Sequence, residues 1–74
     1  MSTMLFMKAT TSSVGDKVRD LRKERGWSQQ ELADRAGISM QTVSNLETGR
    51  HVPGIATLSK IAGALGVGLG ELLA

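Results

Sequence analysis

The chain of 74 residues contains no cysteine. Disulfides, a thiol nucleophile and thiolate metal ligands are therefore excluded together. Its single histidine, His51, rules out a histidine-rich metal site within one chain. No apolar run approaches the ~20 residues needed to cross a bilayer. The opening Met1-Ser2-Thr3-Met4-Leu5-Phe6-Met7 is apolar but short, and no basic residue precedes its apolar part. It makes a poor signal peptide. Without cysteine the chain suits a reducing compartment, and a cytoplasmic location without membrane association is expected. Charge of one sign is also scarce: nine Lys and Arg stand against seven Asp and Glu. So small a basic excess does not identify a partner, and a solvated surface of mixed charge explains it equally well. Serines and acids are present, but His51 lies in a loop and no base–nucleophile arrangement is legible. Neither an enzyme nor a cofactor nor a metal is expected.

What is present is a repeated local grammar: a small polar cap, an apolar stripe at helical spacing, then a glycine. Residues 1–12, ending in Thr10-Thr11-Ser12, read as a flexible N-terminal arm. Residues 13–74 read as one domain. Its first helix starts near Ser13 and stops at Gly26, with Val14, Val18, Leu21 and Arg25 on one side and Asp16 near the positive N-terminal end. The second runs from Ser28 to Ala36. Ser28 and Glu31 have the spacing of a capping box, while Trp27 and Leu32 occupy the positions of a hydrophobic staple. Trp27 is thus read as a packing residue rather than a base-stacking one. A third helix extends from Ser39 to Thr48, and a fourth begins near Pro53 with the stripe Ile55, Leu58, Ile61, Ala62 and Leu65. A final short helix, Leu69 to Ala74, is expected to be marginal because Gly68 and Gly70 loosen it. No segment alternates with period two for long enough to form a strand. The fold class is all-α.

The second and third helices are joined by Ala36-Gly37-Ile38-Ser39, a short turn containing glycine. That connection is expected for two helices crossing steeply, as in a helix-turn-helix. Ala33 must be small where the third helix crosses above it, and Gly37 must supply a positive φ. Leu32, Ala36, Ile38, Val43 and Leu46 are expected to turn inward. Met40, Gln41, Ser44, Asn45 and Thr48 then fall on one face of the third helix. This face is polar and uncharged. It suits the reading of base edges, because an amide can contact adenine N6 and N7 together and a methionine can touch a thymine methyl. An ordinary solvated helix face is the alternative, although such faces more often carry Lys and Glu.

The pattern Gln29-x-x-Leu32-Ala33-x-x-Ala36-Gly37-Ile38-Ser39-x-x-Thr42-Val43-Ser44-x-Leu46-Glu47-x-Gly49 resembles the Cro/repressor-type helix-turn-helix family, also called the xenobiotic-response-element family. The similarity extends from about Val14 to Leu73, taking in Leu21-Arg22-x-x-Arg25-Gly26 before the motif and Pro53, Thr57-Leu58 and Ala64-Leu65-Gly66-Val67 after it. It implies a lambda-repressor-like bundle of four to five helices. It also implies that Met40, Gln41, Ser44 and Asn45 face base edges in the major groove. Gln29, Thr42, Thr48, Arg50 and His51 would hold the phosphate backbone, with Gln29 also bracing the base-reading helix. Arg22 and Glu47 match a structural ion pair of the family. The chain departs from the family pattern at Met40, where a polar residue is common, at Gly54 in place of a serine cap, and at Gly68 and Gly70 before the last helix.

The expected function is sequence-specific binding of double-stranded DNA by a homodimer regulating transcription, with repression at a palindromic operator as the leading form. One recognition helix offers only two or three base contacts, too few to single out a genomic site. Leu69, Leu72 and Leu73 are candidates for the pairing surface, or alternatively residues that close the core. The competing class is a protein-interaction module on the same fold, which would carry an apolar or strongly charged third-helix face and bind DNA weakly.

Overall fold

The computed structural model describes residues 13–74 and contains, among them, five helices and no strand. The arm expected over residues 1–12 lies outside the described residues. Helix α1 spans Val14–Glu24, α2 Gln29–Ala36, α3 Met40–Glu47, α4 Ile55–Leu65 and α5 Leu69–Leu73. The first three begin at serines whose hydroxyls accept from a backbone N–H three residues on. These are Ser13 from Asp16 at 3.4 Å, Ser28 from Glu31 at 3.0 Å, and Ser39 from Thr42 at 3.1 Å. Each satisfies a donor that the helix leaves orphaned. The capping box expected of Ser28 and Glu31 forms only on the serine side. The Glu31 carboxylate is taken instead by Arg35, one helical turn away, at 3.1 Å. On α5 the opposite half is present, where Glu71 Oε1 accepts from the Gly68 N–H at 3.2 Å and glycine has no hydroxyl to reciprocate.

The α2–α3 turn is closed by backbone geometry. Gly37 has φ 71°, and the N–H groups of Gly37 and Ile38 donate to the carbonyls of Asp34 and Ala33. Those two bonds reverse the chain within a few residues and satisfy the last carbonyls of α2. Ile38 packs on the core immediately afterwards, so α3 starts on the far side of a pinned corner.

Val18, Leu32, Ala33, Val43, Leu46, Leu58, Ile61, Ala62, Leu65 and Leu72 are buried almost completely, and Ala36 joins them. Every helix contributes. Helix α2 packs against α3 and α4, and α1 packs against α3, α4 and α5. One expectation changes here, and one pair of alternatives is decided. Ile55, read as the start of the α4 stripe, is 59% exposed. It is the first residue of its helix, where the Cα–Cβ bond leans toward the N-terminus, away from the stripe its sequence spacing would continue. Leu72, a candidate for a pairing surface, is 1% exposed and belongs to the core, with Leu69 packed beside it; only Leu73 of the three stands out at 53%. The last helix forms despite its two glycines because burial of Leu72 outweighs its weak propensity.

One contact that sequence spacing did not reveal sets how α1 lies on α3. Gly15 is buried in the first turn of α1, and a Cβ built on it would stand 2.0 Å from the Leu46 carbonyl oxygen. Backbone meets backbone there, and only a hydrogen fits between. Gly15→Ala is therefore expected to destabilise the protein even though alanine is the better helix former by ~1 kcal/mol. The overpacking term of roughly 1–3 kcal/mol should prevail. Urea unfolding followed by circular dichroism measures the change; an alanine variant more stable than the parent would show that α1 can lift off α3 at little expense.

Candidate nucleic-acid interface

The outer side of α3 is available because its inner side is fixed. Val43 and Leu46 enter the core, and at its C-terminal end Glu47 is 6% exposed. Arg22 of α1, 8% exposed, meets it through a two-pronged contact: Nε donates to Glu47 Oε2 at 2.7 Å and an Nη donates to Oε1 at 2.9 Å. The other Nη of Arg22 donates to the Trp27 carbonyl at 2.7 Å, and Gln29 Nε2 donates to Glu47 Oε1 at 3.1 Å. Among the described residues no buried side-chain nitrogen or oxygen lacks a partner. Burial alone would push the Glu47 carboxyl up. The hydrogen bonds from Arg22 and Gln29, together with the Arg22 charge, outweigh burial and hold it below the usual carboxylate range. The same contact raises the Arg22 guanidinium against the desolvation that opposes it.

Around this anchor the residues singled out from sequence take distinct places. Met40 and Gln41 are exposed in the first turn of α3, and Asn45, half-buried, lies one turn on. Gln41 Nε2 donates to Asn45 Oδ1 at 3.0 Å, so the two amides form one polar ledge. Ser44 and Thr42 are half-buried beside them, and the Thr42 and Ser39 hydroxyls lie 2.8 Å apart. Thr48 is exposed, with its hydroxyl bonded back to the Ser44 and Asn45 carbonyls at 2.9 and 3.3 Å. Its one proton is used within α3.

Arg50 and His51 follow on an exposed loop whose backbone N–H groups donate to the Asn45 carbonyl at 2.9 and 3.2 Å. Those two hydrogen bonds tie the loop to the base of the polar ledge while leaving both side chains outside. Gln29, at the start of α2, is committed at one N–H to Glu47 and keeps its carbonyl and second N–H. Sequence spacing alone did not reveal this link, since 18 residues separate the partners.

Trp27 is half-buried against the core, and the Arg35 guanidinium lies 4.2 Å from its ring centroid. Its ring is occupied on that side. Among the described residues, no three His, Cys, Asp or Glu side chains converge as a metal site, and no helix is long and apolar enough to cross a membrane.

Comparison with known proteins follows the same lines. A family model described as helix-turn-helix matches residues 18–72. An uncharacterized HTH-type transcriptional regulator of Sinorhizobium fredii is 45% identical over 60 residues, 81% of this chain and 78% of that protein. The immunity repressor protein of Bacillus phage phi105 is 38% identical over 55 residues, 74% of this chain and 38% of the phage protein. This chain thus spans less than two fifths of that repressor. SinR, a master regulator for biofilm formation solved in complex with DNA, superposes with a TM-score of 0.76 at 33% identity, covering 80% of this chain and 95% of that one.

The depressed Glu47 carboxyl makes stability depend on pH in a definite direction. A glutamate in the unfolded chain titrates near about 4.3, and the folded value lies below it. The contribution is thus complete above the unfolded value and is lost as pH falls through the folded one. In urea unfolding between pH 7 and pH 2, the parent should lose more stability over that window than an Arg22→Met/Glu47→Leu variant, which carries neither charge. Parallel curves would mean that the fold does not favour the ionised carboxylate.

Proposed function

The chain belongs to the helix-turn-helix family of DNA-binding transcriptional regulators, and we propose on that premise that it is a repressor acting as a homodimer on a palindromic operator. The observation that carries the reading is the exposed, polar, uncharged face of α3, held in place from behind by the buried Arg22–Glu47 pair. A helix entering the major groove needs both properties. Its outward side chains must meet base edges, and its tilt must be fixed so that they meet the same edges each time.

In this reading Met40, Gln41, Ser44 and Asn45 contact bases. Arg50 and His51 stand at the end of α3 and grip the flanking phosphates, joined by Thr42 and by Gln29 through its free carbonyl side and remaining N–H. Thr48 takes part by turning its hydroxyl proton from α3 toward the backbone. Residues 13–74 form the DNA-binding unit, with 1–12 as an arm preceding it. Two copies are required because one α3 supplies only two or three base contacts, each worth roughly 1–3 kcal/mol. Two-fold pairing would set the recognition helices about 34 Å apart, one DNA turn. Leu73, exposed at the end of α5, is the remaining member of the leucine set for that pairing. The repressor assignment is supported by the likeness to the phage immunity repressor.

Selection from random duplex DNA, followed by salt titration on the enriched sequence, tests the proposal. A two-fold symmetric motif with half-sites one turn apart and steep salt dependence is expected. Arg50→Ala should weaken binding to all sequences alike and reduce the salt slope of the dimer by about two units, one per protomer. Failure to enrich any sequence, even with two copies joined artificially, would remove DNA reading from α3 and leave the protein-interaction alternative.

A further inference from the structure

The outer face of α3 carries Met40, Gln41, Ser44, Asn45 and Thr48, and none of these is cationic. That composition bears on which bases the face can serve. Guanine presents two acceptors in the major groove, N7 and O6, and is most often bound by the forked donors of arginine or by lysine. Adenine presents one acceptor, N7, and one donor, the N6 amino group.

Gln41 and Asn45 are joined by the 3.0 Å hydrogen bond from Nε2 to Oδ1. Once joined, the pair keeps the Gln41 carbonyl as an acceptor, with the second Gln41 N–H and the Asn45 amino group as donors. An acceptor beside donors complements adenine. Guanine displays no donor in the major groove for the Gln41 carbonyl. Turning both amides over reverses the internal bond and exchanges the roles, but the pair still offers an acceptor beside N–H donors. The complement to adenine survives either arrangement, and it belongs to the pair.

Met40 stands next in the chain, 45% exposed at the tip of α3. Its thioether is at most a weak acceptor, so hydrogen-bonded readout is not its chemistry. The apolar group that the major groove displays is the C5-methyl of thymine. A flexible, polarisable side chain suits contact with it.

We infer that α3 reads an A·T-containing step, in which the Gln41–Asn45 amide pair acts as one unit on adenine while Met40 packs on the C5-methyl of a neighbouring thymine. This rests on the DNA-binding reading of α3. It goes beyond that reading by committing the face to an A·T pair and by making two of the contacts inseparable.

The test uses the duplex enriched by the parent protein, with each thymine replaced in turn by deoxyuridine, which removes only the methyl. At one thymine per half-site the loss should weaken the parent about fourfold, the effect of uncovering one methyl group. Met40→Ala should bind the thymine duplex correspondingly less well and show no further loss with uracil. Replacing the adenine by guanine, with its partner base, reads the amide pair. Gln41→Ala, Asn45→Ala and the double variant should each lose the adenine preference to the same extent, with helicity by circular dichroism unchanged. If uracil affects the parent and Met40→Ala equally, or if the two amide losses simply add, the inference fails while DNA binding stands. A selection that enriches no duplex overturns the DNA-binding reading, and the inference with it.

Discussion

The buried contact between Arg22 and Glu47 is the constraint on which the geometry of the rest depends. Two charges removed from water are tolerable only when their geometry is good and their remaining hydrogen-bonding capacity is used. Here the planar guanidinium spends two N–H groups on the carboxylate and another on the Trp27 carbonyl, while Gln29 supplies an additional donor to Glu47. Lysine at position 22 could not reproduce that fork. The result is a single node that ties α1, the turn before α2, the first residue of α2 and the last residue of α3. The apolar core brings these helices together without direction; the node adds directional bonds between α1 and the end of α3, beside the close approach of Gly15 to Leu46.

The helix boundaries were legible because they follow local rules. Serines at 13, 28 and 39 stand where caps are needed, and Gly37 marks a turn that requires positive φ. Of the inward set Leu32, Ala36, Ile38, Val43 and Leu46, all are buried except Ile38, which is half-buried and packs on the core. What escaped was nonlocal or competitive. Nothing in the spacing around Gly15 announces a backbone carbonyl from Leu46, 31 positions away. Arg25, placed on the α1 stripe, is exposed and reaches the Leu65 carbonyl, 40 positions away, at 2.6 Å. Glu31 had two local partners within reach, the Ser28 N–H and Arg35, and the guanidinium took it. The Arg22–Glu47 contact itself was legible only through resemblance to a family, since 25 residues separate its members.

The interface was partly legible for a related reason. A helix face is a statement about period, so the grouping of Met40, Gln41, Ser44, Asn45 and Thr48 needed no coordinates. The Gln41–Asn45 bond also has the (i, i+4) spacing at which helix neighbours meet, and that signal was present in the sequence though not used. The ties that set the face relative to the body are different. The loop N–H groups of Arg50 and His51 converging on one carbonyl depend on how the chain leaves α3, a feature that side-chain patterning does not encode.

The caps divide the molecule unevenly. Helices α1, α2 and α3 each start on a serine hydroxyl, whereas α4 and α5 start at Gly54 and Gly68 with no side-chain cap. The front of the domain is therefore specified by its own short-range chemistry, and the rear is held largely by what it buries. Thermal opening should begin at the rear. Amide protons of α5 and the first turn of α4 would exchange with solvent through partial openings, while those at the centre of α2 and α3 wait for the whole domain to unfold. Such an opening uncovers Leu72 and Leu65 before it disturbs the amides on α3. The end of the domain that carries the amides is thus closed by its own caps, and the far end by its burial alone.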